Sequence, residues 1–366
     1  MPSERWYVST TSRRSFSPQT AGLQPVLRVL ERYREEVQQA LRDALPSGEM
    51  LLRVPLQYQM GWVDKDGNPT NGSEGHGKAI RPTLCLLACE ALDGDWRRAL
   101  PAAAALELVH NFSLIHDDIQ DGDVERRHRP TLWRVLGKPR ALAAGNAMLA
   151  YALRGLDRLA DGGFSSEIRL RVSSILMERC LEMIEGQYLD LSYEGRLDVD
   201  TRQYVEMVSR KTGALMQCAT EMGAVLAGQT EEVVRLMARC GHAMGVAFQI
   251  RDDILGIWGD SAVTGKAAGN DIWRRKKSFP VVYALEHARG ASRDRLLQAY
   301  SKREITADDV EQVMLLLEEV GAQLSAQTLA EDMASDALDA LDKVPMAPCG
   351  REAISALIQF LVVREH

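Results

Sequence analysis

The stretch "IHDDIQD" carries three aspartates within five residues: Asp117, Asp118 and Asp121. On a helix, Asp117 and Asp121 stand at i and i+4 and stack on one face, with Asp118 beside them. Like charges so spaced repel, and nothing in folding calls for them. A solvated helix end is the bland reading. Against it, the triplet closes a strongly apolar run, "PAAAALELVHNFSLIHDD", instead of decorating a polar one. A second cluster has the same build. "FQIRDDILGIWGD" sets Gln249, Asp252 and Asp253 at the end of another apolar run, with Asp260 beyond. Carboxylate oxygens are the donors that Mg²⁺ prefers, and that ion usually completes its shell with waters and substrate phosphates. Two clusters facing each other would hold several ions across a diphosphate.

Basic residues supply the counterpart. "GKAIRP" contributes Lys78 and Arg81, Arg126 and Arg127 follow the first cluster, and Lys211 with Thr212 sits in "RKTGAL". Lys266 lies in "TGK", and Arg274, Arg275, Lys276 and Lys277 lie in "NDIWRRKKSFP". Arginine offers a bidentate fork to phosphate oxygens, whereas lysine acts as a compact charge. Taken singly each reads as a solvated surface side chain; taken together, beside the acidic clusters, they read as a phosphate grip. His110 lies seven residues before Asp117, on the same face about two turns away. Its position fits a buried, satisfied histidine as well as a ligand contact, while His116 reads as structural.

The elements that must position these groups are helical. "LQPVLRVLERYREEVQQAL" and "RLRVSSILMERCLEMIEGQYLDL" show the helical apolar period, and "LMARCGHAMGVAFQIRDDIL" is apolar on most sides, as a buried helix would be. Breaks fall at "DKDGNPTNGSEGHG", "DGGFSS", "EGRLDVD" and "GDSAVTGKAAGN", all rich in turn residues. The pattern predicts an all-α fold of ten or more helices. One domain spans residues 23–366 behind a flexible polar tail, residues 1–22, which could also serve as a docking segment. Of 366 residues, 46% are hydrophobic, enough for a substantial core, and 44 Lys+Arg against 51 Asp+Glu leave a net charge of -7. That balance argues against a general nucleic-acid binder, so any anionic partner must be gripped locally. The six cysteines form no CxxC pair and read as packed side chains in a reducing cytoplasm. No apolar run is long enough to span a bilayer, and the N-terminus lacks a secretion signal's apolar core.

From Gly77 in "GKAIRP" to Pro280 in "KKSFP", these ordered motifs resemble the trans-isoprenyl diphosphate synthases of the polyprenyl synthetase family, in particular the geranylgeranyl type. The resemblance implies an isoprenoid synthase-type helical bundle around a central hydrophobic cavity, a homodimer, and three Mg²⁺ ions per active site. It implies that isopentenyl diphosphate condenses with an allylic diphosphate. Asp117, Asp121 and Asp252 would bind the metal, supported by Asp118 and Asp253. Arg126, Lys211 and Lys266 would attend the allylic diphosphate, with Thr212 also binding substrate, Gln249 on the polar rim and Lys276 as the late lysine of the phosphate-binding set. Lys78, Arg81, His110 and Arg127 would hold isopentenyl diphosphate. Three positions depart from the family pattern: Ala79 stands for an arginine, His128 for a common glycine, and Gly256 for the last aspartate of the second DDxxD motif. The last departure predicts a looser grip on the third ion.

In this family the side chains just before the first aspartate motif set the floor of the hydrocarbon channel. Ser113 would lie about 6 Å below Asp117 and Val109 about 12 Å below, on a rise of about 1.5 Å per residue. Phe112 is bulkier, but an ideal helical wheel points it away from Asp117. The expected product is the C20 geranylgeranyl diphosphate, with C15 farnesyl diphosphate next. Two rival classes remain: a class I terpene cyclase, which would carry an NSE-type second motif that "DDILGIWGD" is not, and a non-catalytic partner subunit, which would be expected to have lost metal-binding aspartates.

Overall fold

The computed structural model describes residues 23–46, 48, 50–70, 77, 79–259, 269–302 and 304–363. The tail expected over residues 1–22, together with Lys78, Asp260 and Lys266, lies outside them. Among the described residues the strands are one antiparallel two-residue pair, β1 (Glu125–Arg126) and β2 (Arg129–Pro130). Everything else regular is helical, as the apolar periodicity predicts.

Five helices precede the hairpin: α1 (Leu23–Arg32), α2 (Arg34–Ala44), α3 (Arg53–Gln59), α4 (Ile80–Ala91) and α5 (Leu100–Gln120). After it come α6 (Leu132–Leu136), α7 (Lys138–Gly155), α8 (Ser166–Tyr193), α9 (Thr201–Val208), α10 (Ala214–Leu226) and α11 (Glu231–Trp258). The C-terminal part holds α12 (Asn270–Trp273), α13 (Phe279–His287), α14 (Gly290–Ser301), α15 (Ala307–Glu319), α16 (Ala322–Asp342) and α17 (Pro348–Val363).

Local chemistry sets the long helices' starts. Ser165 caps α8 by accepting from Ile168 N at 3.3 Å. Thr230 caps α11, whose first turn adds Glu231 and Glu232 against the helix dipole. Asp200 and Gln203 form a reciprocal capping box on α9. Proline lies in the first turn of α5, where its missing N–H costs nothing.

Packing then buries the two helices that carry the aspartates. Ala102, Ala103, Ala104 and Ala105 on α5 are all buried, and their small size lets neighbouring backbones approach. α5 packs chiefly on α7, and α11 chiefly on α16 and α10, with α4 and α8 on the far side of α10. One apolar cluster runs from Tyr33 to Val362 through all these helices. A smaller one, including Ile257, Ile272, Val281, Leu296, Val313 and Leu317, lies under the C-terminal end of α11. Among the described residues no helix is long and apolar enough to cross a membrane.

Candidate active site

The acidic end of α5 divides its aspartates between two tasks. Asp118 is buried, and its Oδ1 accepts from Arg126 Nε and Nη2, each at 2.7 Å. Arg126 is brought back by the β1–β2 hairpin, whose turn residues Arg127 and His128 both have positive φ, +53° and +60°. A two-residue hairpin turn with both φ positive favours glycine or asparagine, so His128 takes the familiar glycine's conformation at a local cost. Asp118, expected in support of the metal ions, thus holds Arg126 through one oxygen. Asp117 and Asp121 lie beside it at the same helix end. Burial pushes Asp117 up to about 6, with Lys211 pulling it down and Asp121 adding repulsion. Burial raises Asp121 as well, again opposed by Lys211.

Lys211 reaches these carboxylates from an irregular turn. Between α9 and α10 the chain makes a π-turn, Ser209–Gly213, that carries Lys211 and Thr212; such wide turns recur at functional sites. α8 crosses that turn at Gly186. A Cβ there would lie 2.2 Å from Lys211 N and 2.6 Å from its Cα, so only glycine fits. One turn further along α8, Asp190 accepts from Lys211 Nζ at 2.6 Å. Burial pulls the Lys211 ammonium down, but Asp190, Asp117 and Asp121 together hold it above the ordinary lysine range. Asp190 was absent from the sequence reading. Its signal was a glycine inside a helical pattern, "EGQYLD", a position that often marks close backbone approach.

The second cluster splits in the same manner. Asp253 is fully buried. Its Oδ1 accepts from Gln249 Nε2 and Lys276 Nζ, both at 3.2 Å, and its Oδ2 from Phe279 N at 3.0 Å and from the Tyr204 hydroxyl. Burial and this carboxylate push the Tyr204 phenol well above its usual range. Asp253 thus ties α9, α11 and the start of α13 together. Asp253, expected in support of the metal ions, has both oxygens engaged inside the protein. Gln249 in turn accepts from Thr212 Oγ1 at 3.0 Å, joining the π-turn to α11. Burial depresses the Lys276 ammonium, yet Asp253, Asp271 and Asp190 more than reverse it. Asp190 therefore acts on both clusters at once, raising Asp117 and Asp121 on one side and Tyr204 on the other.

A separate basic group sits beside them. Arg81 Nη1 lies 3.3 Å from His110 Nε2. Burial, then Arg81 and Arg127, hold the His110 imidazole far below its normal range, so it is neutral and accepts from Arg81. Among the described residues Arg81 Nε is buried without a partner. Arg81 also feels Glu107 and Asp252, which sets this group against the second acidic cluster. The Arg127 guanidinium packs on Gly77, where a Cβ would come within 2.5 Å of Nη2. Glu107, buried between the two arginines' fields and raised by that burial, is a further group that sequence reasoning did not single out.

Of the expected floor residues, Val109 is fully buried and Phe112 nearly so. Phe112 packs edge-on against His116 with ring centroids 4.6 Å apart, in keeping with its pointing away from Asp117. Ser113 is part-exposed and donates to the His110 carbonyl at 2.8 Å.

Among the described residues no three acidic, histidine or cysteine side chains already converge on one point as metal ligands. The donor set nevertheless fits a hard divalent cation. Asp117, half-buried, and Asp121, at the exposed helix end, are crowded carboxylates whose proton affinity is raised, and a cation relieves that crowding. The division of labour is testable. Asp253→Asn is expected to lower stability by about 1–3 kcal/mol by spoiling a buried hydrogen-bond set, read as a fall in the Tm of metal-free protein. Asp252→Asn should cost less Tm and instead weaken Mg²⁺ binding. A D253N protein with wild-type Tm and lost Mg²⁺ binding would return Asp253 to the ligands.

Residues 70–317 match the family described as polyprenyl synthetase. The geranylgeranyl diphosphate synthase of Mycobacterium tuberculosis is 37% identical over 337 residues, covering 92% of this chain and 93% of the relative. The (2E,6E)-farnesyl diphosphate synthase of the same species is 35% identical over 344 residues, covering 93% of each. The crystal structure of a polyprenyl synthetase from Streptomyces coelicolor A3(2) superposes with a TM-score of 0.85 at 37% identity, covering 92% of this chain and 99% of that one. With its acidic helix ends, its fixed cations and these likenesses taken together, the chain belongs to the polyprenyl synthetase family and is an enzyme of the prenyltransferase class.

Proposed function

We propose that this enzyme is a Mg²⁺-dependent polyprenyl diphosphate synthase that joins isopentenyl diphosphate to an allylic diphosphate, with the C20 geranylgeranyl diphosphate as its main product. The observation that carries the reading is the presence of two distinct cation sets side by side. Lys211 and Lys276 face the acidic helix ends, while Arg81 sits against a neutral His110 within the field of Arg127. A condensation needs two diphosphates held at once; a cyclase needs one.

Mg²⁺ held by Asp117, Asp121 and Asp252, three ions by family resemblance, would offset the charge that develops on the allylic diphosphate as its C–O bond breaks. Lys211 and Lys276, with Arg126 on its Asp118 arm, give that leaving group fixed positive charge. Lys266 belongs with them by resemblance, and Thr212 and Gln249 brace the rim. Arg81, Arg127 and Lys78 orient isopentenyl diphosphate. Its alkene attacks the allylic carbon, a C–C bond forms, and loss of a proton completes the new double bond. Val109, buried about two turns below Asp117 on the same helix, walls the hydrocarbon from water that would trap the cation.

Homodimerisation belongs to the same proposal. Leu170, Met177, Leu181, Ile184 and Tyr188 are exposed on α8, and their spacing of 7, 4, 3 and 4 residues puts them in one stripe about 27 Å long. A second copy is the occupant that would cover it. The apolar cluster running from Tyr33 to Val362 likewise supports treating residues 23–366 as one catalytic domain.

The decisive assay supplies Mg²⁺, isopentenyl diphosphate and each of the C5, C10 and C15 primers, and measures product length. A C20 product is expected. Accumulation of C15 would favour a farnesyl synthase, as the relative of that name suggests. Hydrocarbon from allylic diphosphate alone would mark a cyclase, and no turnover with any primer a non-catalytic partner. Ser113→Phe should shorten the product to C15 or below; an unchanged chain length would remove Ser113 from the channel floor. Leu181→Glu should convert a dimer to monomer in sedimentation equilibrium, and a wild type that sediments as a monomer would refute the dimer.

A further inference from the structure

Four cations in a row, Arg274, Arg275, Lys276 and Lys277, follow α12. Such a run usually makes a solvated patch. Here each member is tied to a different part of the fold. Arg275 Nη1 donates to the Lys302 carbonyl just past α14, and Lys277 Nζ donates to the Tyr193 carbonyl at the end of α8 at 2.9 Å. Lys276 holds Asp253 of α11. Arg274 reaches farthest along the chain: its Nη2 pairs with Asp123 Oδ1, 151 residues away.

Asp123 lies two residues beyond Asp121, where the chain leaves α5. Its backbone is held from behind. The Asp123 carbonyl accepts from Thr131 Oγ1 at 2.7 Å and from Trp133 Nε1 at 2.8 Å, and Thr131 is buried. Arg274 is braced as well. Gly269 N donates to the Ile257 carbonyl at 2.9 Å, which seats the four-residue α12 on the end of α11, and Ile272 is fully buried. The ion pair is thus a crossbar between two fixed mounts, one at the end of each acidic helix. Its carboxylate is 22% exposed and its guanidinium side chain 50%. A single pair so open to water adds little to stability. What it can do is fix a distance. Asp121 feels both members, Asp123 as repulsion and Arg274 as attraction, so the crossbar lies beside the first acidic cluster.

We propose that the Asp123–Arg274 pair is a positioning clasp that sets the gap between the two acidic helix ends, and with it the span over which cations held there can share one diphosphate. This rests on the prenyl-transfer reading of the site. Arg274 acts through Asp123 and not on the ligand. Arg81 and His110, bonded to each other, take no part in the clasp.

The test titrates Mg²⁺ into protein with inorganic pyrophosphate by calorimetry, reads Tm on metal-free protein, and measures KM for each diphosphate. D123N and R274Q should each weaken Mg²⁺–pyrophosphate binding on the order of tenfold, the usual cost of losing a group that holds a ligand in place, with Tm almost unchanged. Each should raise the KM of the allylic substrate by a similar factor and leave that of isopentenyl diphosphate as it is. The double variant D123N/R274Q should be no worse than either single one, because both remove the same pair. Wild-type or tighter binding in D123N would mean that Arg274 acts on the ligand directly, and would overturn the inference; so would additive losses in the double variant. Should D123N fail to fold, R274K and D123E/R274K decide. The longer acid should restore what the shorter base loses, and equal affinities in the two would refute the clasp. A wild type that takes up no Mg²⁺ with pyrophosphate would refute the reading of the whole site, and the clasp with it.

Discussion

Burying carboxylates side by side is unfavourable twice over: each loses its water, and each repels the next. This protein does so at the ends of two largely buried helices, and much of the surrounding structure answers that one cost. Lys211 stands against Asp117, Asp121 and Asp190, Arg126 against Asp118, and Lys276 against Asp253 and Asp271. The cations are themselves fixed by backbone devices: a π-turn beneath Lys211, a left-handed hairpin turn that brings Arg126 back, and a pinned four-residue helix before Lys276. A site preorganised in this way has already met the cost of arranging its charges before any ligand arrives.

Each Asp–Asp pair follows one rule. Adjacent residues on a helix point about 100° apart, so two neighbouring aspartates cannot both face the same site. In each pair the second member turns inward. Asp118 takes hold of Arg126, and Asp253 gathers Tyr204, Gln249, Lys276 and Phe279. In both pairs the second acid is engaged by the scaffold, one peptide bond away from its neighbour. Removing the inner acid disturbs the placement of the outer one without touching anything it binds.

The fold class and the family were legible because they rest on periodicity and on short ordered motifs. The apolar runs ending in "DDIQD" and "RDDIL" became α5 and α11, and Arg81, His110, Lys211, Gln249 and Lys276 all lie around their ends. What stayed hidden depends on distances between segments far apart in the chain. Asp190 looked like one more polar residue on an amphipathic helix until Gly186 was seen to rest on the Lys211 backbone. Asp253 was grouped with Asp252 because sequence cannot tell which of two neighbours faces inward. Gly256 gave no hint that Asp271, whose carboxyl a Cβ there would meet, lies against it, because the two are fifteen residues apart. Glu107 offered no signal, being one acid in an apolar run whose arginine neighbours arrive from other elements.

The π-turn at Ser209–Gly213 makes the position of Lys211 a matter of counting. A wide turn houses one residue more than a helical one, so α9 and α10 run on nearly the same line yet about 100° out of phase. That offset lets α9 present Tyr204 to Asp253 while α10 buries its own apolar surface against α4, α8 and α11. Trimming a single residue here would leave composition almost untouched. It would nevertheless bring the two helices into step and swing the ammonium away from the acids it serves. At this joint, divergence by substitution is cheap and divergence in length is not.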